Sequence, residues 1–305
     1  MRRLFALTIL LLAAACGRDA DEALLDSRIP SSISPRFYPP EGWAWGTLEV
    51  RGAKPVRYGV AAPATVARGH VVLMANWDEP AEVFFETARD LTGRGFTVWA
   101  LDPAPTPQAG AQALDALVRR VVRPAAHQAV VVAAHGSAAA AALLAAQDGA
   151  PVDGLMLWSP RLSEPRAKEA RDKAALGQGG FRADGERSWR RPDYDLTGRG
   201  TLPAAWALAN PDLRGKGRTW GWFDAQGRAI ETAADPARRR AVSAPVFVLA
   251  PTPDPEVCQG FRRCAVHVIP SRRPHHLAPD GVRSAWLAAL TAFAERRAAV
   301  RLHGL

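Results

Sequence analysis

The stretch Val130-Val-Val-Ala-Ala-His-Gly-Ser-Ala-Ala-Ala-Ala-Ala-Leu-Leu144 constrains the fold more than any other. Its first half is apolar without alternation, as in a strand covered on both faces; its second half is alanine-rich, as in a helix packed closely on that strand. Strands of this kind belong to parallel sheets, which need a crossover helix between neighbours. The chain repeats the unit. Val71–Met74, Phe96–Leu101, Ala129–Ala134, Gly154–Trp158, Ala244–Leu249 and Ala265–Ile269 read as strands. Helices are expected from about Pro80, over Ala111–Val122, from near Ser137 and over Asp280–Arg297. Trp43–Val60 has the alternation of short antiparallel strands. The fold class is α/β, a mostly parallel central sheet with helices on both faces.

Between 159 and 243 the strand rhythm stops, and Gly, Arg, Asp and scattered Trp take over, as in a helical cap inserted into the domain. The expected organisation is therefore 41–158 for the first part of the core, 159–243 for the cap and 244–305 for the second part. At the N-terminus, Arg2 and Arg3 precede an apolar run from Leu4 to Leu12 that is too short for a membrane span, which reads as a signal peptide over 1–15. Ala13-Ala-Ala15 before Cys16 resembles a bacterial lipobox, with Ala13 where Leu is usual. That resemblance implies lipidation of Cys16 and a tether over 16–40, placing the chain in the cell envelope, facing the periplasm and attached to a membrane.

Of the three cysteines, Cys258 and Cys264 then remain, either as a disulfide in an oxidising compartment or as two buried thiols. The net charge of +9 favours anionic neighbours. No zinc-finger spacing, RNA-binding aromatic motif or phosphate-binding Walker loop is present, so nucleic acid is not an expected partner. No metal or cofactor is implied.

The corner at His135-Gly136-Ser137 has the strand–turn–helix form of a nucleophile elbow, whose central residue takes positive φ and whose neighbours two away must be small. Centring on Gly136 places Ala134 and Ala138 in the small slots; centring on Ser137 places His135 in one. The first register fits, and its central residue has no nucleophile. Ala134-His-Gly-Ser-Ala-Ala139 resembles the elbow of the lysophospholipase and monoacylglycerol lipase branch of the α/β-hydrolases, with Gly136 at the serine position. Val71-Val-Leu-Met-Ala-Asn-Trp-Asp-Glu79, Phe84-Phe-Glu-Thr-Ala-Arg-Asp-Leu91, Asp195-Leu-Thr197, Ala209-Asn-Pro-Asp-Leu213 and Thr219-Trp-Gly-Trp222 extend the likeness over most of the chain.

The resemblance implies Asp254 as catalytic acid and His275 as base, with His276 as the fallback, and backbone N–H groups of Trp77 and Ser137 as the oxyanion hole. Asn76 stands where that loop usually has Gly, and Asp102-Pro-Ala-Pro-Thr-Pro107 replaces a Gly-rich turn. Three functions follow. The first is a hydrolase-like protein with an impaired site that holds a lipid or acyl-ester ligand. The second is an active serine esterase using Ser137, which otherwise reads as a helix cap, with His275 and Asp254. The third is a basic adaptor whose Arg187, Arg190, Arg191 and Arg238–Arg240 meet anionic lipid.

Overall fold

The computed structural model describes residues 27–304. The expected signal peptide over 1–15 and Cys16 lie outside them. Eight strands form one sheet: β1 (Ala44–Leu48), β2 (Val56–Ala61), β3 (Gly69–Met74), β4 (Phe96–Leu101), β5 (Ala129–His135), β6 (Gly154–Trp158), β7 (Val246–Ala250) and β8 (Cys264–Val268). Their order is β1-β2-β4-β3-β5-β6-β7-β8. The β1/β2 and β2/β4 pairs are antiparallel and all others parallel. This is the expected mostly parallel sheet.

Every residue of β3, β4, β5 and β6 is buried, which is why these strands lack alternation. The two faces nevertheless separate with period two. Val72, Met74, Val130 and Val132 face a core shared with α2 (Pro107–Ala116) and α3 (Ala138–Gln147). Val71, Leu73, Val131 and Ala133 face one shared with α1 (Phe85–Thr92) and the C-terminal α8 (Asp280–His303). The alanines of α3 let it lie close to its neighbour: a Cβ added at Gly110 of α2 would stand 3.1 Å from the Ala141 Cβ. In the insert, α4 (Ala167–Ala175), α5 (Leu202–Ala209), α6 (Trp220–Ala234) and α7 (Pro236–Ala241) are helical, and α6 packs against α3.

Two elements differ from expectation. The helix expected to begin at Ala111 begins at Pro107, because the Thr106 hydroxyl accepts from Ala109 N (3.2 Å) and Pro107 is preset for a first turn. From Leu117 to Val122 it widens to a π-turn and stops at Arg123, φ +44°. The segment expected as tether is packed from Ser27 on. Ile33 and Phe37 are buried in the core, Arg28 N donates to Asn210 Oδ1 (2.7 Å), and Arg89 donates to the carbonyls of Arg36 (2.6 Å) and Tyr38 (2.8 Å). Two apolar anchors spaced four apart suffice to bind a segment that has no periodicity of its own.

Cys258 and Cys264 form a disulfide, tying the turn after β7 to β8. On the opposite side, Arg57 of β2 is buried beneath Trp45, 3.9 Å from its ring. It pairs with Asp102 (2.6 Å) and with Glu82 (2.8 Å), whose carboxylate also receives the Ser27 hydroxyl. Burial alone would lower the Arg57 pKa, but the two carboxylates outweigh it and hold the guanidinium charged. Removing one partner from such a group leaves an uncompensated buried charge. Arg57→Ala is therefore expected to cost about 3–5 kcal/mol in urea unfolding.

Candidate functional site at the sheet's carboxyl edge

Parallel pairing of β3 with β5, Met74 opposite Ala134, brings the loop after β3 beside the corner after β5. Gly136 takes φ +55°, the conformation the elbow register requires, and Ser137 enters the helical region at φ −68°, ψ −24°. A Cβ built on Gly136 would meet Asn76 Oδ1 at 2.5 Å. The space beside the central residue is thus filled by the Asn76 carboxamide.

That same oxygen accepts from Ser137 N (3.0 Å) and from Ser137 Oγ (2.8 Å), while Trp77 N donates to Ser137 Oγ (3.3 Å). Both N–H groups expected as oxyanion donors are consequently bonded, each to the loop that carries the other. Ser137 does not cap α3: its side chain accepts from no N–H of the helix, because its hydroxyl is committed to Asn76 and Trp77. Asn76 Nδ2 in turn donates to Asp78 Oδ1 (2.5 Å). From the cap, Gln226 Nε2 approaches the Ser137 carbonyl (3.4 Å), and Trp222 and Arg218 cover Trp77 at 5.9 and 4.5 Å. Beyond Trp77 a cleft of about 500 Å³ opens between cap and core, with Trp189, Tyr194, Arg190 and Arg214 on its walls.

The two histidines after β8 part ways. His275 is fully buried; its Nε2–H donates to the Ile269 carbonyl (2.7 Å), so its Nδ1 lone pair accepts from Ser159 Oγ (3.3 Å). Asp254 is exposed and caps the turn Pro255–Cys258, accepting from Glu256 N (3.1 Å) and Val257 N (3.3 Å). Among the described residues no hydrogen bond joins Asp254 or Ser137 to His275.

His276 joins a buried hub that sequence reading did not anticipate. Glu79 Oε2 accepts from His135 Nδ1 (2.7 Å) and Asn76 N (3.3 Å), with His276 Nε2 3.5 Å away. His135 stacks on Trp158, their centroids 5.3 Å apart. Burial alone would raise the Glu79 carboxyl, but the two imidazoles outweigh it and hold it well below the usual carboxylate range. The donor atoms of Glu79, His135 and His276 lie within 4.8 Å of one another, a spacing that invites comparison with a metal site. Trp158 argues against one. Its indole N–H, which can only donate, points at His276 Nδ1 (3.2 Å), so the neutral ring carries its proton on Nε2, toward Glu79. A metal-ligating Nε2 would require the opposite tautomer and set two N–H groups face to face.

Burial pushes His275 and His276 below the ordinary imidazole pKa. Below about pH 6.5 the unfolded chain takes up protons that these two rings refuse in the fold, so stability falls as pH falls. The urea midpoint is expected to be lower at pH 5.5 than at pH 7.5, and His275→Gln should flatten that slope, by at most about 1.4 kcal/mol per pH unit.

The chain matches no protein-family profile and no curated sequence. Solved structures do resemble it. A thermostable carboxyl esterase from Bacillus coagulans, 13% identical, superposes with a TM-score of 0.67 over 85% of this chain and 100% of its own. A monoacylglycerol lipase from Paleococcus ferrophilus, 16% identical, gives 0.58 over 78% and 98%. A haloalkane dehalogenase loop variant from Bradyrhizobium elkanii, 16% identical, gives 0.57 over 86% and 100%. Reactions as different as ester hydrolysis and dehalogenation share this scaffold, and at such identities the likeness carries the architecture alone: the chain has the α/β-hydrolase fold.

Proposed function

We propose that this is an exported, lipid-anchored envelope protein, related to the lysophospholipase and monoacylglycerol lipase branch, that holds an acyl-ester or lysolipid ligand in its cleft without hydrolysing it at the elbow. One observation carries the reading: the central elbow residue is Gly136, and the Asn76 carboxamide fills the space beside it while taking the Ser137 N–H. A substrate carbonyl gains its catalytic advantage from donors aimed at the developing oxyanion, and here those donors already have acceptors. The cleft beyond them keeps aromatic walls and arginines, a lining suited to an acyl chain with a polar head. Anchoring rests on the sequence of residues 1–16.

The esterase alternative asks Ser137 to leave Asn76 and Trp77 and His275 to leave Ile269, with Asp254 recruited from its capping role. The adaptor alternative draws on arginines partly engaged at home: Arg238 pairs with Asp148 (2.6 Å) and Arg239 donates to the Gln259 carbonyl (2.9 Å).

The test is titration of the full chain with a non-hydrolysable monoacylglycerol ether, read by tryptophan fluorescence, alongside mass spectrometry for fatty acid released from the matching ester. Saturable binding, lost in Trp189→Ala, without release is expected; sustained release that disappears in Ser137→Ala would overturn the reading. The elbow register makes a second prediction. Gly136→Ser should cost about 1–3 kcal/mol, from positive φ and the encounter with Asn76, and Asn76→Gly in the same chain should reduce that increment. Urea unfolding of the two single variants and the double variant measures the coupling.

A further inference from the structure

We propose that Ser159 is a nucleophile served by His275, able to take an acyl or phosphonyl group from activated esters, at a position one strand away from the vacant elbow. Four observations converge on it.

Ser159 directly follows β6, and the chain just before and two residues after it is bonded to Gly136: Gly136 N donates to the Trp158 carbonyl (3.3 Å) and Arg161 N to the Gly136 carbonyl (2.9 Å). It therefore lies against the corner where chemistry on this scaffold is expected. Its backbone sits at φ +44°. Among the described non-glycine residues only Arg123 shares a positive φ, and that residue closes a helix. A serine in this conformation is strained, and such strain persists where the surroundings impose it, as they do at nucleophile turns.

Third, the histidine is already arranged as a base. The Ile269 carbonyl takes the Nε2 proton of His275, which leaves the Nδ1 lone pair for the Ser159 hydroxyl at 3.3 Å. A backbone carbonyl thus performs the orienting part of a triad's acid. Fourth, His275 is buried and its pKa lies below the ordinary imidazole value, so the ring is neutral and able to accept a proton at pH 7, while Ser159 is only half-buried.

The step balances without another reactant. Ser159 Oγ forms a bond to the acyl carbon or phosphorus, its proton passes to His275 Nδ1, and the bond to the leaving group breaks, that group taking the bonding electrons; the proton then goes from His275 to an alkoxide leaving group or, when fluoride leaves, to solvent. Neither of the next two residues offers a free backbone N–H as an oxyanion donor: Pro160 has none, and Arg161 N is bonded to Gly136. Acylation is therefore confined to activated reagents, and regeneration of the serine is slow. The proposal is compatible with ligand holding in the cleft and independent of it.

The full chain is incubated with a fluorophosphonate probe at pH 7.5, digested and mapped by tandem mass spectrometry. The expected result is a single phosphonylated residue, Ser159. Labelling should vanish in Ser159→Gly, where glycine suits the positive φ and the fold is kept, and slow at least tenfold in His275→Gln. The rate should fall as pH drops below the ordinary imidazole range, because protonation of His275 removes its lone pair. An unlabelled wild-type chain, a label on Ser137, or labelling undiminished in Ser159→Gly would each overturn the proposal. Thermal melting of both variants separates loss of the hydroxyl from loss of the fold; if His275→Gln does not fold, the Ser159→Gly result and the mapped residue decide.

Discussion

The Asn76 carboxamide is the contact on which the carboxyl edge of the sheet depends. One oxygen accepts from both the main chain and the side chain of Ser137, and so clamps the loop after β3 to the corner after β5. These are the two central parallel strands. Trp77, next in the clamped loop, is covered by Arg218 and Trp222. The clamp requires a residue without Cβ at position 136, since any larger one would stand 2.5 Å from the same oxygen. Glycine at 136 and asparagine at 76 are thus two halves of one arrangement, each explaining the other.

Beneath this clamp lies the second fixed point, Glu79. A fully buried carboxylate is tolerable only when donors surround it, and Glu79 has His135, Asn76 and, at longer range, His276. The hub fastens the ends of β3, β5 and β6 and the turn after β8, because Trp158 closes it from the far side through His276. With His276 held there, His275 is the histidine that turns toward Ser159. The choice between the two adjacent histidines is therefore made by an indole N–H from a different strand.

This explains which parts of the molecule were legible in the sequence. Strands such as Phe96–Leu101 and the elbow register at Gly136 announce themselves locally, through unbroken apolar runs and the size of residues two away. The Asn76 substitution was visible as a departure, but its effect was not, since nothing local says that a carboxamide will fold back onto Ser137. Glu79–His135 and Ser159–His275 are separated by 56 and 116 residues, and only the strand order brings them together. Asp254 shows local satisfaction instead: an aspartate before proline accepts from the two N–H groups next in the chain. The packing of residues 27–40 escaped because two anchors, Ile33 and Phe37, leave no periodic trace.

The location of backbone strain carries the remaining step. An elbow bearing a side chain stores energy at its central residue, because positive φ costs a residue with a Cβ about 1–2 kcal/mol. With glycine there, the corner after β5 stores none. The strained position on this edge of the sheet is instead Ser159, after β6, φ +44°. Its hydroxyl is the one that His275 receives, and Trp158 before it and Arg161 two residues after it are bonded to Gly136. Because β5 and β6 are adjacent and parallel, the two strand ends lie about 5 Å apart. The pairing of a strained backbone with a neutral, oriented histidine thus stands at the end of β6, one strand from the corner that Gly136 and Asn76 clamp.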